Sequence, residues 1–141
     1  MIAIPIDLDE DEFRRLNALY PPSEKSSNVG KRSVELVQYY FRKLDPSCQF
    51  RVLKKGVDLE IVQGSKIQRI EIKGTARDHL AWNQLKVSGS PSYDELRKDT
   101  PLYRVVSVYD RTPTIYVLTY SEDFDMIPEA RWSVKKKKKG A

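Results

Sequence analysis

The chain is poor in the residues that cross-link small proteins or hold transition metals. Its 141 residues include one cysteine, Cys48, and one histidine, His79. A single cysteine excludes an intramolecular disulfide framework and a zinc site built on several cysteines, and it fits a reducing compartment. A lone histidine in a predicted loop is more often a surface residue than a general base.

Long apolar runs and a targeting segment are also missing. No uninterrupted run of apolar residues in the sequence is long enough to form a helix that spans a bilayer. Near the N-terminus, acidic residues stand where a secretory signal would carry basic ones. We therefore expect no membrane contact and a cytoplasmic, intracellular location, with nucleoid association as one form of it.

The body of the chain has no excess of charge. The formal net charge of +5 equals the lysine run near the C-terminus, and the other 20 Lys and Arg residues balance 20 Asp and Glu residues. This tail can attract nucleic-acid phosphates without sequence preference, or it can be a solvated, disordered end. The predicted nucleic-acid-binding residues are therefore Lys135, Lys136, Lys137, Lys138 and Lys139.

The helix signals predict a helical extension followed by a longer helix. Asp9 is a good N-cap for a first helix that ends before Pro21. A second helix is expected from about Lys31 to Leu44, because apolar residues recur there at spacings of three and four. The residues predicted to face the core are Val34, Val37, Phe41 and Leu44.

Strand patterns fill most of the remaining chain. One strand is expected over 48–53, and two more over 102–109 and 114–120. Ser92, with Glu95 three residues later, predicts a capping box that opens a short helix.

The predicted fold class is therefore α/β (α+β), a mixed sheet flanked by helices in the order α-βββ-α-ββ with an N-terminal helical extension. The predicted organisation is an arm and linker over 1–27, one domain over 28–134 and a lysine-rich tail over 135–141.

The stretch 56–73 has the clearest pattern in the sequence. Two apolar/polar alternations flank Gly64 and Ser65, and glycine at the first turn position favours a two-residue hairpin turn. The apolar side chains should share one face, which is the core face: Val57, Leu59, Ile61, Ile70 and Ile72. The charged side chains should share the other face: Asp58, Glu60, Arg69, Glu71 and Lys73.

Counting outward from this turn pairs Glu60 with Arg69 and sets Asp58 opposite Glu71. Like charges directly opposite each other are destabilising, so a cation should lie between the two carboxylates. Lys73 is one candidate and a divalent metal is the other. Mg²⁺ prefers oxygen ligands, so two carboxylates suit it. The alternative is a solvated charged face on which Lys73 simply pairs with the carboxylates.

An acid followed by Glu-x-Lys on the next strand resembles the restriction-endonuclease-like superfamily, the PD-(D/E)XK nucleases. The residues that carry the resemblance are Asp58 and Glu71-Ile72-Lys73, and it extends over about 28–120. It implies a core of a helix, three antiparallel strands, a helix and a further strand. The residue before the acid is Val57, where the family name has proline.

A narrower likeness is to the domain found in the plant No Vein protein. It is carried by Asn28-x-Gly30, Gly56-x-Asp58 and the run from Ile70 to Thr75. Most relatives of this kind lie inside larger chains with motor domains, and the present chain has none.

The resemblance implies a Mg²⁺-dependent endonuclease, with Mn²⁺ as a substitute, that hydrolyses phosphodiester bonds in DNA during defence, restriction or DNA processing. RNA remains open as a second substrate. Asp58, Glu71 and the main-chain carbonyl of Ile72 would hold the metal, and Lys73 would serve the attacking water.

Further residues and partners follow from the same resemblance. Glu35 on the longer predicted helix would assist as a catalytic residue, and Gln84 and Lys86 would be accessory. A homodimer or a partner protein is also expected. The alternative is a catalytically inactive nuclease-fold module that binds nucleic acid or a partner protein in a larger assembly.

Overall fold

The computed structural model of the protein describes residues 1–54, 56–87, 89–128 and 134–137. The strands in these ranges are β1 (Ile2–Pro5), β2 (Gln49–Val52), β3 (Leu59–Gln63), β4 (Lys66–Gly74), β5 (Leu102–Val106) and β6 (Thr114–Leu118). The α-helices are α1 (Glu10–Leu19), α2 (Ser26–Leu44) and α3 (Ser90–Arg97), and a short 3₁₀ helix covers Trp82–Gln84. No helix in the described ranges combines the length and apolar character needed to cross a bilayer.

The six strands form one mixed sheet in the order β1-β6-β5-β4-β3-β2. β4 and β5 are parallel, and the other neighbours are antiparallel. Parallel neighbours need a crossover connection, and α3 lies in the segment that supplies it. The predicted mixed sheet flanked by helices is confirmed.

The first 27 residues are part of this architecture. β1 closes one edge of the sheet by pairing with β6, so the N-terminal segment supplies an edge strand. Ile6, Leu8 and Leu16 lie in the main hydrophobic cluster. Asp9 caps α1 as predicted, since its carboxylate accepts a hydrogen bond from the Glu12 N–H at 2.8 Å.

The predicted start of α2 is wrong. The helix begins at Ser26, five residues before the expected Lys31. Its first turn is held by Asn28, whose side-chain amide donates to the Pro21 carbonyl at 2.8 Å and to the Tyr109 hydroxyl at 2.7 Å. These long-range bonds extend the helix through residues that local signals had marked as a linker.

The core-facing stripe of α2 is also partly different from the prediction. Val37 and Phe41 are buried and Val34 is partly buried, as expected. Leu44 is exposed, and Leu36 is buried in its place. Leu44 is the last residue of the helix.

The hairpin of β3 and β4 has the predicted register, with Gln63 opposite Lys66 and Glu60 opposite Arg69. Gly64 has a φ of +61°, a conformation that L side chains rarely adopt and that a two-residue hairpin turn requires at this position. The five residues assigned to the core face are all buried.

Helices cover both faces of the sheet. α2 packs on the face that carries Ile70, Ile72 and Gly74, and a Cβ at Gly74 would lie 1.8 Å from the Ser33 Oγ. Only glycine permits this close approach of strand and helix. The opposite face has a smaller apolar cluster around Leu96 of α3.

The predicted capping box at Ser92 is wrong. The helix begins at Ser90, with Pro91 in its first turn, so Ser92 lies inside it rather than at its cap. The Ser92 hydroxyl instead donates to the Gly56 carbonyl at 2.7 Å. The predicted end before Pro101 is confirmed, because α3 ends at Arg97.

Candidate functional site

Asp58 is fixed at the open end of the hairpin. It directly precedes β3, and its backbone N–H donates to the Ile70 carbonyl at 3.1 Å. Its carboxylate Oδ2 accepts a hydrogen bond from the Ile72 N–H at 2.8 Å. Because β4 extends beyond the start of β3, the Asp58 side chain satisfies a backbone donor that a longer β3 would have paired. These bonds hold the carboxylate against β4.

Glu71 is buried beside Asp58. Its side chain is on the α3 face of β4, and the residue is only 2% exposed. Burial, together with a hydrogen bond to Asp58 and the charge of that carboxylate, raises the pKa of Glu71 to about 8. Its Oε2 atom is buried without a hydrogen-bond partner among the described residues. The two carboxylates therefore share a poorly solvated space that favours retention of a proton.

Lys73 and Ile72 are the residues of β4 that lie closest in sequence to Glu71 on its C-terminal side. Lys73 follows Glu71 by two residues, so both side chains leave β4 on the same face. The charge of Lys73 lowers the pKa of Glu71, although burial and Asp58 outweigh it. The N–H and carbonyl of one strand residue point to the same edge, so the Ile72 carbonyl faces the side on which its N–H meets Asp58.

Glu35 is separated from these residues by the sheet. It belongs to α2, which covers the face opposite to Glu71 and Lys73. Its Oε2 accepts a hydrogen bond from the Arg15 Nη2 at 3.0 Å, and Arg15 also binds Glu12 at 2.6 Å. These contacts join α1 to α2, and they lend no support to the predicted assistance by Glu35.

The other predicted residues belong to the segment after β4 and to the lysine-rich tail. Gln84 is exposed on the 3₁₀ helix and Lys86 is exposed two residues later. In the tail, Lys135, Lys136 and Lys137 are exposed. The remaining tail lysines, Lys138 and Lys139, lie outside the described residues.

Sequence reasoning missed one residue that contacts the site and one buried cation on the neighbouring strand. Ser92 of α3 lies beside Glu71, and its hydroxyl lowers the pKa of that glutamate. Arg104 is buried one strand away and donates to the carbonyls of Leu80 and Gly74 at 2.9 and 3.2 Å. The sequence contained no local signal for either role, since both depend on contacts between segments far apart in the chain.

The oxygen atoms of Asp58, Glu71 and Ile72 suit a divalent cation whose remaining ligands are water or substrate. Two carboxylates and the Ile72 carbonyl are hard oxygen ligands, and the unpartnered Oε2 of Glu71 is a free acceptor. Among the described residues, no three His, Cys, Asp or Glu side chains group so as to hold a metal ion. Mg²⁺ is commonly held by one or two carboxylates and keeps several waters, so the pair suits it.

Comparison of the chain with protein families, with curated proteins and with solved structures finds no match.

Proposed function

We propose that this protein is a Mg²⁺-dependent nuclease with a restriction-endonuclease-like core, hydrolysing phosphodiester bonds in DNA. The observation that carries the proposal is the buried Glu71 carboxylate, set against Asp58 with one oxygen that has no hydrogen-bond partner in the described part of the chain. The element order α2-β2-β3-β4-α3-β5, with β4 parallel to β5, supports it because the resemblance implies the same order. Mn²⁺ is the expected substitute for Mg²⁺.

Each residue of the site has a separate task. Asp58, Glu71 and the Ile72 carbonyl would hold the cation at the open end of the hairpin. Such a cation lowers the pKa of a nearby water and offsets charge on a phosphoryl oxygen. Lys73 would orient the attacking water and place a positive charge beside the scissile phosphate. The hydrogen bond from the Ile72 N–H keeps the Asp58 carboxylate against β4, and Ser92 lies beside Glu71.

The pKa of Glu71 gives the site a pH dependence. A carboxyl with a pKa of about 8 retains its proton over much of the neutral range, and cation binding requires the ionised form. Metal affinity and cleavage should therefore rise between pH 6.5 and pH 8.5.

The test is a cleavage assay on single-stranded, duplex and branched DNA in Mg²⁺ and in Mn²⁺. The variants Asp58→Asn, Glu71→Gln and Lys73→Met should each lower cleavage by about 100-fold or more. Asp94→Asn is the matched control, since it removes one exposed carboxylate of α3 and should cut like the parent protein. Cleavage that survives Asp58→Asn would show that the activity comes from elsewhere.

The second candidate is a nuclease-fold module that binds nucleic acid without cutting it. Asp58 Oδ2 already accepts a backbone hydrogen bond, and the contacts of Glu35 provide no third carboxylate at the site. This candidate predicts salt-sensitive binding to DNA that Mg²⁺ does not alter and that deletion of Lys135–Lys139 strongly weakens. Metal-independent binding together with no cleavage of any DNA would favour it.

A further inference from the structure

A cleft lies on the α3 face of the sheet, next to the carboxylate pair. Its volume of about 800 Å³ falls within the range of sites that hold small molecules, about 300–1,000 Å³. Its lining is largely apolar and aromatic, and includes Trp82, Leu85, Tyr93, Leu102, Phe124 and Met126. Lys86 and Asp125 add one charge of each sign.

The rim of the cleft carries the most exposed aromatic rings of the described chain. Trp82 is 46% exposed and Tyr93 is 38% exposed, whereas the other aromatic side chains described are buried or partly buried. The Arg97 guanidinium lies over the Tyr93 ring at 5.6 Å from its centroid. Exposed rings together with arginine form the kind of platform on which nucleobases stack.

The cleft borders the candidate site through Leu102 of β5. Leu102 on its floor is the β5 residue paired with Glu71 in the parallel register, so the two side chains are neighbours on one face. Tyr93 on its wall directly follows Ser92, which contacts the site from α3. A nucleic acid whose phosphate lies at the carboxylate pair would therefore have its bases beside the cleft.

The charge balance of the body favours an unpaired strand over a duplex. A protein that follows duplex DNA neutralises many phosphates, and this needs a basic surface. Outside the lysine run, basic and acidic residues are equal in number. Proteins that bind single strands also use basic groups, but stacking on aromatic rings adds affinity that depends on the bases and requires bases that are free of their partners.

We propose that this cleft takes unstacked nucleobases on Trp82 and Tyr93, so that single-stranded DNA is the substrate class of the site. The inference rests on the proposed function and makes it more specific. The phosphate backbone would pass Asp58 and Glu71 while neighbouring bases enter the cleft. Duplex DNA would reach the site only where its strands separate.

The experiment measures binding in EDTA, so that cleavage cannot interfere. The full chain is titrated into three labelled probes of equal charge: a short oligothymidylate, an abasic oligomer with the same number of phosphates, and a duplex with the same total number of phosphates. Binding is followed by fluorescence anisotropy. In a Trp132→Phe background Trp82 is the only tryptophan, and its emission should be quenched by the oligothymidylate alone.

The oligothymidylate should bind on the order of tenfold more tightly than the abasic probe and the duplex. Trp82→Ala and Tyr93→Ala should each remove most of that difference. Ile67→Ala is the matched control, because it truncates an exposed apolar side chain near the hairpin turn, away from the site. Equal affinity for the base-bearing and abasic probes, or an unchanged difference in both aromatic variants, would overturn the inference.

The outcomes separate this inference from the proposed nuclease activity. If binding depends on the bases and on Trp82 but the protein cuts no DNA, the result supports base binding in the cleft and contradicts the proposed nuclease activity. If cleavage needs Asp58 and Glu71, but the Trp82→Ala and Tyr93→Ala variants bind all probes like the parent, the result supports the nuclease activity. It overturns the proposal that the cleft binds bases.

Discussion

Two glutamates on one face of one hairpin are buried in opposite electrostatic surroundings. Glu60 is 5% exposed, and its carboxylate receives hydrogen bonds from Arg51 at 2.8 Å and Arg69 at 3.2 Å. Glu71 is as deeply buried, but its carboxyl lies against the carboxylate of Asp58, and one of its oxygens has no hydrogen-bond partner among the residues that the structure describes. Two arginines therefore face the Glu60 carboxylate, whereas burial and the neighbouring Asp58 disfavour the ionised form of Glu71. A buried acid beside another acid lowers the stability of the free protein, so its presence points to a function that needs it.

The largest expected effect is on the free energy of unfolding, which Glu60→Gln should lower and Glu71→Gln should raise. Glu60→Gln should lower the free energy of unfolding by about 1–3 kcal/mol, because it leaves two arginines without their buried partner. Glu71→Gln at pH 8 should raise it by about 1 kcal/mol or more, since the amide cannot ionise beside Asp58. Urea unfolding of the two variants and the parent measures both changes.

The same pair distinguishes stability from activity. Glu60→Gln should cut DNA at a temperature where it remains folded, while Glu71→Gln should be stable and inactive. A Glu71→Gln variant that is clearly less stable than the parent at pH 8 would show that Glu71 supports the fold as Glu60 does.

The second effect is that the free energy of unfolding depends on pH because of Glu71. Its folded pKa of about 8 lies above the ordinary value of 4.5, so the folded protein keeps a proton that the unfolded chain has released. Stability should therefore fall as pH rises from about 4.5 to about 8, with a slope of at most about 1.4 kcal/mol per pH unit. Urea titrations across this range should show the slope in the parent and in Glu60→Gln, but not in Glu71→Gln.

A third, smaller effect is stabilisation by Mg²⁺ at pH 8. A ligand that binds only the folded state at ten times its Kd adds about 1.4 kcal/mol of stability. Thermal unfolding should show this increment in the parent protein and in Glu60→Gln, and its loss in Asp58→Asn and Glu71→Gln. An equal increment in all four proteins would place the cation away from the carboxylate pair.

Local patterns predicted the hairpin well. Its turn and register follow from Gly64 and from side-chain alternation, which are properties of neighbouring residues. That register was sufficient to predict that Asp58 and Glu71 meet, because the pairing is set by counting from the turn.

Contacts between distant segments could not be predicted in this way. Ser92 has the sequence signal of a helix cap, yet it bonds to Gly56 because α3 packs across the sheet. The resemblance implies a role for Glu35 on the long helix, but the face on which α2 packs decides its partner, Arg15. The burial of Glu71 also depends on α3, so its raised pKa could not be read from the alternation of charged and apolar residues.

The smallest expected effect concerns the arginines that distinguish the two glutamates. Arg51→Gln and Arg69→Gln should each cost less than about 1 kcal/mol, because both side chains are more than half exposed and one cation still faces Glu60 after either change. Arg69→Gln should cost slightly more, since Arg69 also lies 3.8 Å from Glu95. The double variant should cost more than the sum, because it leaves the Glu60 carboxylate buried without either arginine partner. A double-mutant cycle from urea unfolding measures this coupling. Additive costs would mean that the two arginines act independently on Glu60.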